Sequence, residues 1–460
     1  MRPLLLQKFL DFIHQLFNPP LRSKHARYQN LQKDGKGMLL KNATFLNSEM
    51  KWERGDLWIQ NGKIRLLPAG NDAEDAVNCE DYLIVPGLVN AHFHGYSPLA
   101  RGLVKDTELQ DWFDDTVPGK IRKILIDYID NVLSEEDFLA LCQKSYVDMV
   151  KGGVTFVSES DPGPSPFLHG KAINEIGIRG IIDVYEKIGE YAGRRDGRVI
   201  YGSHLLEEED ISEEELEKCR ERKAEYDPVM MAHCLENKWR HDLVHAKYDR
   251  SSVKLYDERG LLDDKTVLFH AVYLSDADLD LLAENGCSVV HCPLSNLGSG
   301  AGLAKVKEML DKGINVCLGT DYAHTDLWEV MRFTYYLFKI RAEVSRFTAE
   351  DVFQMAAANG AKAYRMDKEI GQIGEGRCAD LVFIKKDLSF FPLLEKGDFS
   401  TILHNLLLYG KEDCIRHVMV DGKWVMKDRK MVTVDEEALN GKFAEVTEGF
   451  FRYLNKEWGR

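Results

Sequence analysis

Between Val85 and Arg101 the chain reads Val-Pro-Gly-Leu-Val-Asn-Ala-His-Phe-His-Gly-Tyr-Ser-Pro-Leu-Ala-Arg. Alternate residues of an extended strand face the same way, so His92 and His94 project side by side, a pair suited to a divalent metal. Gly95 follows at once; without a side chain there the backbone can turn sharply and leave room beside the imidazoles for an ion and a ligand. A His-x-His pair alone is weak evidence, because neutral imidazole also packs and hydrogen-bonds without a metal. What strengthens it lies downstream. His233 closes the apolar run Val229-Met230-Met231-Ala232, His270 closes Val267-Leu268-Phe269, and Asp321 follows Val316-Cys317-Leu318-Gly319-Thr320. One such histidine reads as a satisfied core residue; several polar residues that each end an apolar strand point to a site.

Three imidazoles and a carboxylate suit a borderline divalent ion, zinc first, with Fe2+ or Mn2+ behind it. Water beside such an ion loses a proton far more readily than bulk water does. Glu236, in His233-Cys234-Leu235-Glu236, is placed to receive that proton. Cys234 adjoins His233 but points to the opposite face of the strand, so it is not counted as a ligand.

The elements that must position these residues follow a repeating pattern. Apolar strands are expected at 87–91, 154–158, 178–184, 199–203, 229–232, 266–270, 287–291 and 315–319, with amphipathic helices at 135–151, 213–225, 276–285, 302–312 and 327–341. Ser212-x-x-Glu215 opens the second of these helices as a capping box. Alternating strands and helices of this number predict an α/β fold, a (β/α)8 TIM-like barrel over residues 86–369, whose chemistry sits where strands end. Strand-like segments flank it. The Asn61-Gly62 turn marks a hairpin near the start, and Asp421-Gly422 marks another between His417 and Val425. They predict a small composite β-sandwich from both chain ends, residues 38–85 and 370–460, the second part including a C-terminal helix. Residues 1–37 read as an amphipathic helix, with Leu6, Leu10, Ile13 and Phe17 at helical spacing, and a linker after Asn18-Pro19-Pro20.

At 460 residues the chain can bury a substantial core, and 44% hydrophobic with 29% charged residues is a globular composition. A formal net charge of −15 argues against nucleic acid or an anionic membrane as partner. The nine cysteines are scattered rather than set in disulfide or zinc-knuckle spacing, which fits reduced thiols and a cytoplasmic location. No apolar run reaches the roughly 20 residues that span a bilayer.

These motifs together resemble the amidohydrolase superfamily, in its aminohydrolase and chlorohydrolase branch of S-adenosylhomocysteine and methylthioadenosine deaminases, guanine deaminases and triazine hydrolases. The resemblance runs from Met38 to about Val432. It rests on Pro86-Gly87-Leu88-Val89-Asn90-Ala91-His92-Phe93-His94, His233-Cys234-Leu235-Glu236, His270 with Leu274-Ser275, His291-Cys292-Pro293-Leu294-Ser295-Asn296, Gly319-Thr320-Asp321 and Gly371 to Leu381. It implies one metal ion on His92, His94, His233 and Asp321, with Glu236, His270 and Asp321 in the catalytic roles. Glu236 would move the proton, His270 would hydrogen-bond the water or the developing tetrahedral centre, and Asp321 would also assist in deprotonating the water. No bridging lysine on the fourth strand is needed, which sets the chain apart from two-metal members.

The same resemblance implies His204, ending the fourth strand, as a substrate contact. Asp111, before Trp112, stands where nucleoside deaminases of this branch usually carry a glutamate, one methylene longer, which argues against adenosine-type recognition. Arg101 and His324 are further candidates, each with a surface or packing role as the alternative. Ser295-Asn296 and His291 either shape the pocket or serve structural hydrogen bonds. Glu207 to Asp210 read as a solvated acidic loop, and His241 and His245 as solvated surface on a charged segment. The expectation is a metal-dependent aminohydrolase that releases ammonia from an aminated purine, pterin, pyrimidine or triazine-like ring. Hydrolysis of another C–N or C–Cl bond in a related ring is the alternative, and a non-catalytic binding protein would show a broken ligand set. The implied partner is a small heterocycle, and relatives that are often dimers or larger imply a homo-oligomer.

Overall fold

The computed structural model describes Gly37–Trp458 apart from residues 74, 104, 161, 162, 164, 186, 192, 193, 342 and 343. The helix and linker expected over residues 1–37 lie outside the described residues, except for Gly37. Strands Leu88–Phe93, Val154–Glu159, Arg179–Val184, Val199–His204, Met230–Cys234, Thr266–His270, Ser288–His291 and Asn315–Leu318 pair side by side in chain order, all parallel. Each overlaps the apolar run that marked it in the sequence. They are buried on both faces because one faces the barrel interior and the other the surrounding helices. Val89, Phe156, Ile181, Met231, Phe269 and Val290 fill that interior, so the barrel is a packed core and not a pore.

The seam between the last strand and the first is closed by side chains as well as backbone. Asn90, fully buried, donates from Nδ2 to Thr320 Oγ1 across 2.8 Å and accepts the Thr320 amide at Oδ1 across 3.0 Å. One step further the Asp321 amide donates to the His92 carbonyl across 3.0 Å. These bonds bring the two ends of the strand series, and hence His92 and Asp321, into contact.

Helices Glu135–Lys151, Glu213–Tyr226, Asp276–Asn285 and Leu327–Arg341 stand where the periodicity predicts. The helix expected over 302–312 is confined to Val306–Asp311, because Gly300 and Gly302 hold φ values of +71° and +107° that a helix does not allow. The charged segment after Glu236 is also helical, Lys238–Tyr248, capped by Asn237 Oδ1, which accepts the Arg240 amide across 2.9 Å.

The flanking strands form one sheet, with Met38–Leu46, Trp52–Gln60, Lys63–Leu67 and Tyr82–Pro86 from the beginning of the chain and Leu381–Lys385, Ile415–Val420, Lys423–Lys427 and Lys430–Met431 from its end. Tyr82–Pro86 joins the halves by pairing with Leu381–Lys385. The sheet curls until its two hairpin turns touch: a Cβ on Gly422 would lie 3.3 Å from Gly62 Cα. Leu40, Leu57, Ile59, Ile84, Phe383 and Met419 pack inside the curl. Both turns carry two consecutive left-handed residues, Asn61 and Gly62 at +51° and +74°, Asp421 and Gly422 at +49° and +69°, as a tight hairpin requires. Arg179, at the start of the third barrel strand, fixes this sheet to the barrel through Asp380, 2.7 Å away, and Asp421. The C-terminal helix Glu436–Glu457 lies on the barrel instead, where Phe450 packs on Tyr128 with ring centres 5.5 Å apart.

All nine cysteines are buried and unpaired, as their scattered spacing predicts. Among the described residues no helix is long and apolar enough to cross a membrane.

Candidate metal centre and active site

His92 and His94 leave the first strand on one face, His233 sits near the end of the fifth, His270 ends the sixth and Asp321 follows the eighth. Asp321 Oδ1 lies 3.1 Å from Nε2 of both His92 and His94. His92, His94, His233 and Asp321 each offer a ligand atom within 4.8 Å of the others. The strand ends are locally strained where they deliver these groups. Leu235, His270 and Asp321 adopt φ values of +45°, +67° and +61°, a region that costs a non-glycine residue of order 1–2 kcal/mol.

The donor set fits a metal ion. Burial, opposed only in part by Asp321, holds the His92 imidazole neutral, as ligation requires. Burial works against ionised Asp321, but His92, His94 and His270 keep its carboxyl well below the usual range. His92 Nδ1 is buried with no hydrogen-bond partner among the described residues. His233 turns Nε2 inward because Nδ1 is bonded to Glu207 Oε1. A carboxylate behind a histidine in this way fixes its tautomer and ring orientation.

On the open side of the cluster stand Glu236 and His270. His270 Nε2 lies 3.9 Å from Glu236 Oε1 and 3.8 Å from Asp321 Oδ2, while Nδ1 is held by Asn296 Oδ1 at 2.8 Å. Thus Asn296 orients His270, and Ser295 beside it lines the cavity. His291 faces a different groove, with Thr334 and Phe338, and burial keeps it neutral, with its pKa pushed down to about 3.

Arg240 was not singled out by its sequence context, yet it ties the centre together. Only 4% exposed, it donates from Nη1 to Glu236 Oε2 at 3.0 Å and from Nη2 to Glu207 Oε2 at 3.0 Å and Glu209 Oε1 at 2.6 Å. The acidic stretch is therefore not simply a solvated loop. Glu207 turns inward to His233 and Arg240, and Glu208 accepts the Leu235 amide and the Ser252 hydroxyl, each at 2.7 Å. Glu209 and Asp210 remain exposed. Local charge patterning could not separate the inward acids from the outward ones, because their partners come from the next strand and helix. His245 is exposed, as expected, whereas His241 is half-buried.

Gly95 serves a different need from the one its position suggests. A Cβ there would come within 2.8 Å of His169 and 3.0 Å of Glu159, and its amide donates to Glu159 Oε2 across 2.8 Å. The space it leaves is taken by Glu159, at the end of the second strand, and by His169, on helix Pro166–Ile176.

The cluster opens into a cavity of about 260 Å³, walled by Tyr96, Leu109, Trp112, Phe113 and Tyr322, with Glu207, Glu209, Asp210 and Arg122 at its polar side. A second chamber of about 510 Å³ adjoins it and shares Tyr96 and Arg122. His204 is buried at the end of the fourth strand, 3.1 Å from Asp183, and stacks on Tyr185, a wall of that chamber, with ring centres 3.7 Å apart. None of the four expected substrate contacts, His204 included, lines the metal-side cavity. Asp111 lies in the 3-10 turn Leu109–Trp112, where side chains three apart eclipse, so Leu109 and Trp112 share the inward face and Asp111 does not. Arg101 turns its Nε to the Ala323 carbonyl at 3.1 Å and its guanidinium toward Asp148, and His324 is exposed on the same loop.

Residues 83–425 match the model of the amidohydrolase family. The 5-methylthioadenosine/S-adenosylhomocysteine deaminase of Haloarcula marismortui is 29% identical over 438 residues, 89% of this chain and 97% of that protein. The crystal structure of an adenosine deaminase from Xanthomonas campestris with bound zinc superposes with a TM-score of 0.81 at 22% identity, covering 90% of this chain and 98% of the other. That of the atrazine chlorohydrolase from Arthrobacter aurescens, complexed with zinc, gives a TM-score of 0.76 at 18% identity, covering 89% and 100%.

Proposed function

Because the chain belongs to the amidohydrolase family, a hydrolase by that membership, we propose that it is an aminohydrolase, replacing the exocyclic amino group of an aminated nitrogen heterocycle by oxygen. One water enters, a C–O bond forms at the ring carbon, the bond from that carbon to the exocyclic nitrogen breaks and ammonia leaves. The observation that carries this reading is the convergence of His92, His94, His233 and Asp321, with Glu236 and His270 on their open side. The deaminase names of relatives such as the one from Haloarcula marismortui support it.

In this reading His92, His94, His233 and Asp321 hold one divalent ion, zinc by preference for three imidazoles and a carboxylate. When bound, the ion acts as a Lewis acid that makes a neighbouring water acidic. Glu236 Oε1 takes a proton from the attacking water and delivers it to the leaving nitrogen. His270, fixed by Asn296, hydrogen-bonds the oxygen of the tetrahedral centre, and the Asp321 oxygen facing His270 assists in drawing off the water's proton. Tyr96, Trp112, Phe113 and Tyr322 supply flat apolar surface against which a planar ring stacks. His204, behind Tyr185, is the remaining polar contact for a substrate that reaches the second chamber.

The test is ammonia release by metal-replete protein across aminated purines, nucleosides, pterins, pyrimidines and triazines. Release from any of them supports the reading. Silence across the panel, with chloride or alkylamine released from substituted triazines, would overturn it in favour of a related hydrolysis.

A further inference from the structure

Resting on the metal centre of the aminohydrolase reading, we propose that Glu159 is a positioning residue: by holding the Gly95 amide it sets the metal ligand His94 on one side of that glycine and the cavity wall Tyr96 on the other. Glu159 ends the second barrel strand, fully buried, and stands behind the cavity without lining it. Its Oε2 accepts the Gly95 N–H across 2.8 Å, and Ser145 Oγ donates to the Gly95 carbonyl across 2.8 Å. Both polar groups of the Gly95 backbone are thus bonded to buried side chains. The turn is pinned beyond it as well. The Ser97 amide donates to the His94 carbonyl across 3.0 Å, and Ser97 Oγ accepts the Ala323 amide across 2.9 Å.

A fully buried carboxylate is unfavourable unless its surroundings compensate it. Here the compensation is built in: His169 Nδ1 lies 3.4 Å from Glu159 Oε2, and the Tyr146 hydroxyl lies 3.0 Å from the same nitrogen. Burial first, and Glu159 next, push the Tyr146 hydroxyl well above its ordinary pKa, so it stays protonated. Gly95 leaves the room for this cluster. A Cβ would come within 2.8 Å of His169 and 3.0 Å of Glu159, although φ at Gly95 lies outside the left-handed region and the backbone itself would accept alanine. The other two ligand-bearing strand ends are held in the same manner, Leu235 by Glu208 and Thr320 by Asn90. Glu159 differs in that the amide it holds lies between a ligand and a wall of the substrate cavity, so one bond governs both. A ligand whose backbone is fixed from behind keeps its orientation and retains the ion longer.

Zinc-loaded wild type, Glu159→Leu, Glu159→Gln, Gly95→Ala and Tyr146→Phe test this through the rate of zinc transfer to a chromogenic chelator. Glu159→Leu, which removes the acceptor, is expected to transfer zinc about 10-fold faster or more, and Glu159→Gln, which keeps an oxygen for the Gly95 amide, to stay within about threefold of wild type. Gly95→Ala should reproduce the leucine phenotype with the carboxylate in place, and it decides the matter if Glu159→Leu does not fold. Tyr146→Phe disturbs the same cluster without touching the Gly95 bond and should release zinc at the wild-type rate; a merely structural cluster would respond to all these changes alike. With zinc held in excess, KM for any ring that releases ammonia should rise in Glu159→Leu more than kcat falls, because Tyr96 shifts while the ion is kept. The proposal is overturned by wild-type zinc release in Glu159→Leu or Gly95→Ala, by Glu159→Gln or Tyr146→Phe releasing zinc as fast as Glu159→Leu, or by a fall in kcat with KM unchanged. Zinc transfer needs no substrate, so the failures separate. Ammonia from no ring would remove the aminohydrolase and leave the zinc measurements to decide Glu159, whereas normal zinc retention in Glu159→Leu beside ammonia release would remove Glu159 alone.

Discussion

Arg240 Nη1 lies 3.0 Å from Glu236 Oε2, and the other arm of the same guanidinium lies 3.0 Å from Glu207 Oε2, whose second oxygen holds His233. One buried cation thus sets both the residue assigned to move the proton and a ligand of the metal centre. Lysine carries the charge but not the fork, so it can serve one carboxylate at a time. Arg240→Lys is expected to lower kcat by about 10- to 100-fold with a smaller change in KM, and to hasten metal loss to a chelator. Steady-state kinetics and chelator-driven metal release check it; wild-type values for both would remove Arg240 from this position.

Glu236 is near the ligands but is assigned to proton transfer, so the two roles separate by substitution. Glu236→Gln keeps the side chain's size and an acceptor for Arg240, and should retain wild-type metal content while turnover falls by at least about 100-fold. Metal analysis and ammonia release measured on one preparation decide it. Near-normal turnover would assign the proton to another group.

Because four ligand groups from the ends of three strands meet at one point, an ion bound there links parts of the barrel distant in sequence. Chelation should abolish activity and lower the melting temperature, with both restored by zinc, iron(II) or manganese(II). Under half an equivalent of metal in metal-replete protein, with no thermal shift on chelation, would favour a binding protein over an enzyme.

Asn90 is a seam residue: its amide bonds Thr320 twice from a fully buried position. Asn90→Leu leaves the Thr320 amide and hydroxyl without those partners, and a loss of about 1–3 kcal/mol in stability is expected. Because the same seam aligns His92 with Asp321, metal retention should weaken as well. Urea denaturation and metal content test the two effects, and an unchanged midpoint would show that the backbone bond of Asp321 suffices.

Burial tends to raise the Asp421 carboxyl, but Arg179 and Arg198 outweigh it and hold the group below its ordinary value. A carboxyl whose folded pKa is depressed adds stability above its unfolded pKa, near 4, and loses it as pH falls through the folded value. Melting temperature should therefore drop on acidification below about pH 4, and Asp421→Asn should flatten that drop. Parallel melting curves for the two proteins would exclude this pair as a source of acid sensitivity.

The barrel was legible because its signals are local. A strand buried on both faces must be apolar throughout, and a helix packed on it must repeat its apolar residues every three or four positions, so both periods can be read from the chain. The hairpins at Asn61-Gly62 and Asp421-Gly422 were legible for the same reason, since left-handed turns select those residues. His92, His94, His233, His270 and Asp321 stood out because each interrupts or ends such a run.

What the chain by itself determined is the set of strand ends and the polar group at each. Only the tertiary structure decided which polar residues face one another. Arg240 resembled any charge on a solvated helix until the turn of the preceding loop brought Glu207, Glu209 and Glu236 around it. Asp111, Arg101 and His324 were separated from the metal-side cavity by the geometry of a 3-10 turn and a tethered loop, while Arg122 was brought to the edge of both chambers by a helix whose packing no local pattern announces. Strand and helix follow from interactions between near neighbours in sequence. Charge pairing and cavity walls depend on the direction of side chains from distant segments, which closure of the barrel fixes.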